Sequence, residues 1–111
     1  MMGSGNEERV AFAIERLLQA GEGWRGLVRD MVGLWPDVLP LELGFALVSA
    51  ASAIETSFAP GSPAREGAAR GYRLAALLSM DVYAMQSLQM RHERAAELQA
   101  YWHLDPFFAE L

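Results

Sequence analysis

Residues 24–35 read Trp24-Arg25-Gly26-Leu27-Val28-Arg29-Asp30-Met31-Val32-Gly33-Leu34-Trp35. Trp24, Leu27, Val28, Met31, Val32 and Trp35 follow the i, i+3, i+4, i+7, i+8, i+11 spacing that gathers apolar side chains on one face of an α-helix. Arg25, Arg29 and Asp30 fall on the opposite, wet side. Pro36 ends the helix, since it has no N–H to continue the hydrogen-bond ladder. Gly26 and Gly33 each weaken it by about 1 kcal/mol relative to alanine. Tertiary packing must hold this helix, so the flanking sequence has to supply apolar partners.

Upstream, Val10, Ala13, Ile14, Leu17 and Leu18 repeat at helical spacing, with Glu15, Arg16 and Gln19 opposite. This predicts a helix that starts at Ser4 or Asn6, both good N-caps, and stops at Gly21. Downstream, Asp37 is the expected cap of a third helix, with Pro40 in its first turn. From Leu41 to Phe58 the only charges are Glu42 and Glu55, and a helix apolar on all sides is normally central in its bundle. Its Ala46, Ser49, Ala50 and Ala53 are small, which lets a neighbour approach closely.

Ala59-Pro60-Gly61-Ser62-Pro63 reads as a loop, with Ser62 capping the next helix. Between Pro63 and His103 no further proline interrupts the chain. Unbroken helix over that stretch would reach about 60 Å, twice the roughly 30 Å width of a small domain. Gly67 and Gly71 can delay its start, and the polar run Gln89 to Glu93 can house a kink. Asp105-Pro106-Phe107-Phe108 reads as a turn leading into a short docked segment. The expectation is therefore all-α: a four- to five-helix bundle with a long C-terminal helix, straight or kinked, and residues 1–111 forming a single helical domain. Nothing in the chain alternates at strand period.

Composition narrows the chemistry. With 52% hydrophobic and 21% charged residues the chain has the makings of a packed core. It has no cysteine, which excludes disulfides, thiolate catalysis and Cys-based zinc sites. All nine basic residues are arginine, so Schiff-base and phosphate-loop lysines are excluded too. Arg-only, Ala-rich usage fits a GC-rich bacterial genome. A net charge of −5 repels nucleic-acid backbones. The polar, acidic N-terminus is unlike a secretory signal. The uncharged stretch Leu43 to Ile54 is short of the ~18–20 residues that span a bilayer. The expected setting is the cytoplasm, with no membrane partner.

Asp81 is the first candidate for chemistry, being the only charge between Leu74 and Met90. A carboxylate among Leu77, Leu78, Met80, Val82 and Met85 should be partly desolvated and its pKa raised, as at many functional sites. Its bland alternatives are an exposed position or an arginine partner from the second helix. Glu55 is the second candidate, because a carboxylate at a helix C-terminus faces an unfavourable dipole and needs a partner. Together the two could act as an acid–base dyad.

On one continuous helix, Asp81, Met85, Gln89, His92, Gln99 and His103 would form a half-polar seam for a ligand or interface. At about 16 Å apart, His92 and His103 cannot share an ion, and neither metal nor cofactor is expected. Tyr101, Trp102, Phe107 and Phe108 form an aromatic cluster suited either to capping the bundle or to a subunit interface. Gly21 to Gly26 resembles a phosphate loop only superficially, since it comes after a helix. Arg65, Arg70 and Arg73 form a small basic patch, with Glu66 placed to pair with Arg70.

No motif names a reaction. The sequence favours a helical protein–protein interaction or scaffold module over an enzyme. Its expected partner is a second copy or another protein, with the long last helix and its aromatic tail in the contact. The alternative is a small-molecule-binding protein or small enzyme with a carboxylate-lined pocket.

Overall fold

Leu27, Val28, Met31 and Val32, the centre of the amphipathic pattern, are all buried, while Arg25, Arg29 and Asp30 stand in solvent. From Leu27 on, the helical phase read from the sequence is the one the chain adopts; Trp24 sits on the preceding 3-10 turn and, like Trp35, is only half-buried. The computed structural model describes residues 2–111, and side chains from Gly5 onward. Among them are six α-helices: α1 (Met2–Leu18), α2 (Leu27–Leu34), α3 (Pro40–Ser57), α4 (Glu66–Ser87), α5 (Leu98–Tyr101) and α6 (Phe107–Glu110). Short 3-10 turns at Gly23–Gly26, Pro63–Arg65 and Ala95–Glu97 lead into α2, α4 and α5. No described helix is long and apolar enough to cross a membrane.

Two helix starts differ from expectation. Helix α1 begins ahead of Ser4 and Asn6, and the Ser4 side chain lies outside the described residues. Helix α3 is capped not by Asp37 but by the Glu42 carboxylate, which accepts the Leu39 N–H at 3.0 Å. Asp37 instead pairs with Arg94 at 3.2 Å.

Helix α3 lies between α1 and α4, its principal neighbours. Leu43, Ala46, Leu47, Ala50, Ala51 and Ile54 are buried against them. Close approach here is made by glycines of α4 as much as by the alanines of α3. A Cβ on Gly71 would stand 3.0 Å from those of Ala51 and from Leu17 Cδ1, and one on Gly67 would stand 2.7 Å from the Leu17 carbonyl oxygen. Gly67 and Gly71 do not delay α4; they let α1 and α3 press against it.

The long C-terminal helix does not form. Helix α4 stops at Ser87, and Gln89 takes a left-handed conformation at φ 59°. The Met90 N–H donates to the Met85 carbonyl at 2.8 Å and the Gln89 N–H to that of Gln86 at 3.1 Å, the paired bonds of a Schellman stop. The chain then reverses and docks on the α2–α3 connection. Ala95 N–H donates to the Val38 carbonyl at 2.7 Å and Ala96 N–H to that of Pro36 at 2.9 Å. The Glu97 carboxylate accepts the N–H groups of Arg94 and Glu93 at 3.0 and 2.9 Å, and these bonds, Arg94's foremost, hold its pKa below the ordinary value. Reversal keeps the longest dimension of the molecule to 43 Å, short of the roughly 60 Å an unbroken helix needs.

Candidate functional site

Asp81 projects from α4 toward the docked C-terminal segment and is 8% exposed. Its partner is neither solvent nor arginine: the Trp102 indole Nε1–H donates to Oδ2 at 3.0 Å. Burial lifts the carboxyl above its ordinary pKa, the indole hydrogen bond pulls it back, and the nearby charge of Asp105 adds to the rise. A hollow of about 440 Å³ opens beside it, lined by Ser79, Met80, Tyr83, Ala84, Tyr101 and Asp105. The Tyr101 hydroxyl reaches Asp105 at 3.5 Å. Burial first, then the charges of Asp105 and Asp81, push this phenol up. Ser79, the nucleophile type in the hollow, donates its hydroxyl to the Ala76 carbonyl at 2.7 Å.

Glu55 is not part of this group. It accepts the Tyr72 hydroxyl at 2.9 Å and lies 3.7 Å from the Arg65 guanidinium. That hydrogen bond, ahead of burial, raises the Tyr72 pKa. Tyr72 precedes Asp81 by nine residues of α4, about 13 Å of helix, so Glu55 and Asp81 sit beside different halves of α4. Glu55 and Asp81 have separate partners and share neither a hydrogen bond nor a hollow among the described residues. The carboxylate that Asp81 senses is Asp105, delivered by the chain reversal.

The half-polar seam is dispersed by the same reversal. Met85 is buried in the core, Gln89 forms the helix stop, and His92 contacts the Met90 carbonyl at 3.0 Å through Nδ1. Gln99 and His103 are exposed beyond the break. Of the aromatic cluster, Tyr101, Trp102 and Phe108 are buried in the chain's own core, and Phe107 is partly exposed. Trp102 and Phe107 both pack on Phe108, with ring centroids 5.7 and 5.3 Å apart. These aromatics fasten the C-terminal segment to its own domain.

The feature that sequence reasoning missed lies on the opposite side of α3. Leu41, Phe45, Val48 and Ser52 form a stripe at i, i+4, i+7, i+11 that is left uncovered. Beside it, Tyr72, Ala76, Ser79 and Tyr83 make a matching stripe on α4. Between the two runs a groove of about 450 Å³, floored by Gly44 and Ala75. Phe45 is 62% exposed and Tyr83 70%. At ordinary side-chain sizes, the exposed parts of Leu41, Phe45, Val48 and Tyr83 offer on the order of 450 Å², within the range of the largest patch of a monomer. No charged side chain lines the groove. On the α1 side Leu41 and Phe45 also border a second hollow, lined by Arg9 and Glu42, in which the buried Arg9 lies 3.3 Å from Glu42. The signal for this face is the charge-free run of α3, which on periodicity alone reads wholly as core.

Comparison of the chain with family models, with characterised proteins and with solved structures found no match.

Proposed function

We propose that this chain is a helical protein–protein interaction module that pairs with a second copy of itself through the face between α3 and α4. The observation that carries the reading is the uncharged stripe of Leu41, Phe45 and Val48 standing beside an equally uncharged groove. Depletion of charge with aromatic and Met enrichment is the compositional mark of an interface core.

A second copy suits the face because ridge and groove lie side by side on it. Under a two-fold axis, the Phe45 ridge of each copy enters the groove of the other, and one patch serves both subunits. The large side chains offer on the order of 450 Å², and Tyr72 with the small groove residues adds to this, toward the roughly 800 Å² per partner of a standard interface. The contact therefore moves from the last helix, where Trp102 and Phe108 are occupied internally, to the middle of the chain. An acid–base reading would draw on Asp81 and Asp105, since Glu55 is bound elsewhere to Tyr72 and Arg65. A cytoplasmic setting belongs to the same reading, and the net charge of −5 argues against nucleic acid as the partner.

Light scattering on wild type and Phe45→Glu tests the proposal. Wild type should run at twice 12.2 kDa at tens of micromolar, and Phe45→Glu at the monomer mass with an unchanged helical spectrum. A wild-type monomer at that concentration contradicts the module as a homodimer. A dimer indifferent to Phe45→Glu contradicts the face.

A further inference from the structure

On the other side of α4 from the apolar face, three guanidinium groups converge on one hollow. Arg70 and Arg73 come from the first half of α4, and Arg25 from the 3-10 turn before α2. Trp24 stands among them. The Arg25 guanidinium lies 4.8 Å from the centre of its indole ring and that of Arg70 lies 5.2 Å from it. Leu74 and Leu77 of α4, with Phe107 and Leu111 from the docked C-terminus, complete the wall around about 290 Å³.

The charges do not balance. Glu22 pairs with Arg25, and Glu66 with Arg70 at 3.4 Å. Arg73 has no ion-pair or hydrogen-bond partner among the described residues, and Glu110 borders only the adjoining, smaller hollow. One guanidinium is left over at the mouth of an apolar cavity, in a protein whose net charge is −5. The Trp24 indole N–H is also buried without a hydrogen-bond partner. Guanidinium groups match carboxylates in planar, bidentate fashion. Apolar walls with a few convergent polar groups are the usual make-up of a small-molecule site.

We propose that this hollow binds a small amphipathic carboxylate, its head on Arg73 with Arg70 and Arg25 nearby and its apolar body against Leu74, Leu77 and Phe107. The volume sits at the lower end of the roughly 300–1,000 Å³ typical of ligand pockets, which suits a body of eight or so carbons. The site is independent of the α3–α4 face, because Arg70, Arg73, Leu74 and Leu77 point away from the stripe that carries Tyr72, Ala76 and Tyr83.

Octanoate is the probe, titrated into the full chain and followed by the indole N–H signals in proton–nitrogen correlation spectra. Three tryptophans give three such signals, so Trp24 is read beside the internal controls Trp35 and Trp102. The Trp24 signal should move saturably with octanoate. Octanol and inorganic phosphate, carrying only the body and only a charge, should each bind at least about tenfold more weakly. Arg73→Ala, at an exposed position without a partner, should weaken octanoate by about the same factor. Octanol binding as tightly as octanoate would reduce the hollow to an apolar crevice. Phosphate binding as tightly would remove the role of the walls. An unchanged affinity in Arg73→Ala, or no saturable movement of the Trp24 signal, would overturn the site.

Discussion

Replacing Asp81 by leucine and by asparagine separates its hydrogen bond from its charge. In Asp81→Leu the Trp102 indole N–H loses its 3.0 Å acceptor at the contact between α4 and the C-terminal segment. An unsatisfied buried donor costs about 1–3 kcal/mol. Relief of the buried carboxylate offsets part of this, leaving a net loss of about 1–2 kcal/mol at pH 7, or roughly 4–8 °C in Tm for a domain near this size. In Asp81→Asn the amide oxygen still accepts the indole hydrogen bond and the charge is gone. That variant should lie within about 0.5 kcal/mol of wild type at pH 7, or above it.

The pH dependence has a fixed sign. Because burial raises the native carboxyl pKa above the ordinary 3.8, the native state binds the Asp81 proton more tightly than the unfolded chain does. Wild type therefore gains stability relative to Asp81→Asn as pH falls through the raised native value toward 3.8, and loses it again on the way up. Urea melts of the three proteins at pH 4 to 7 measure all of this. Equal losses in Asp81→Leu and Asp81→Asn, or a wild-type-to-Asn difference that does not vary with pH, would refute the assignment of a buried, indole-bonded carboxylate.

Three further substitutions test the packing and the chain reversal. Gln89→Gly should stabilise the protein by about 0.5–1 kcal/mol, because glycine takes the left-handed position of the α4 stop without the Cβ penalty; a loss in a thermal melt would mean that the stop is not made there. Gly67→Ala should destabilise the fold despite the roughly 1 kcal/mol gain in helix propensity, since its Cβ would stand 2.7 Å from the Leu17 carbonyl; a raised Tm would show that α1 yields easily. Leu27→Ala should cost about 2–5 kcal/mol in a urea melt, as for other fully packed core leucines, and a cost below about 1 kcal/mol would contradict the burial of α2.

The amphipathic pattern of α2 was readable because its spacing is a local property and both of its faces were complete. The all-helical class came from the same periodicity. The end of α4 was not readable. Its stop falls on Gln89, where neither glycine nor proline marks it, and the reversal is held by bonds from Ala95 and Ala96 to carbonyls nearly 60 residues earlier. Asp81 stood out as a lone charge, and its desolvation was foreseeable. Trp102 as its partner was not, since pairing the two depends on that reversal. For α3, the charge-free run from Leu43 to Ile54 is equally consistent with full burial and with one face left open. Only the placement of α1 and α4 distinguishes them. The arginine hollow shares this limit: Arg25, Arg70 and Arg73 converge because Trp24 packs near α4, and no spacing along the chain records that.

The central question is whether the Phe45 ridge meets the groove of a second copy. Isotope-filtered proton contacts in an equal mixture of labelled and unlabelled chains measure it directly. The predicted result is a set of intermolecular contacts from the Phe45 ring to Ala76 and Tyr72, lost on dilution as the dimer dissociates. Absence of intermolecular contacts at Phe45 in a sample whose mass is dimeric, or a mass that stays monomeric at tens of micromolar, would contradict it.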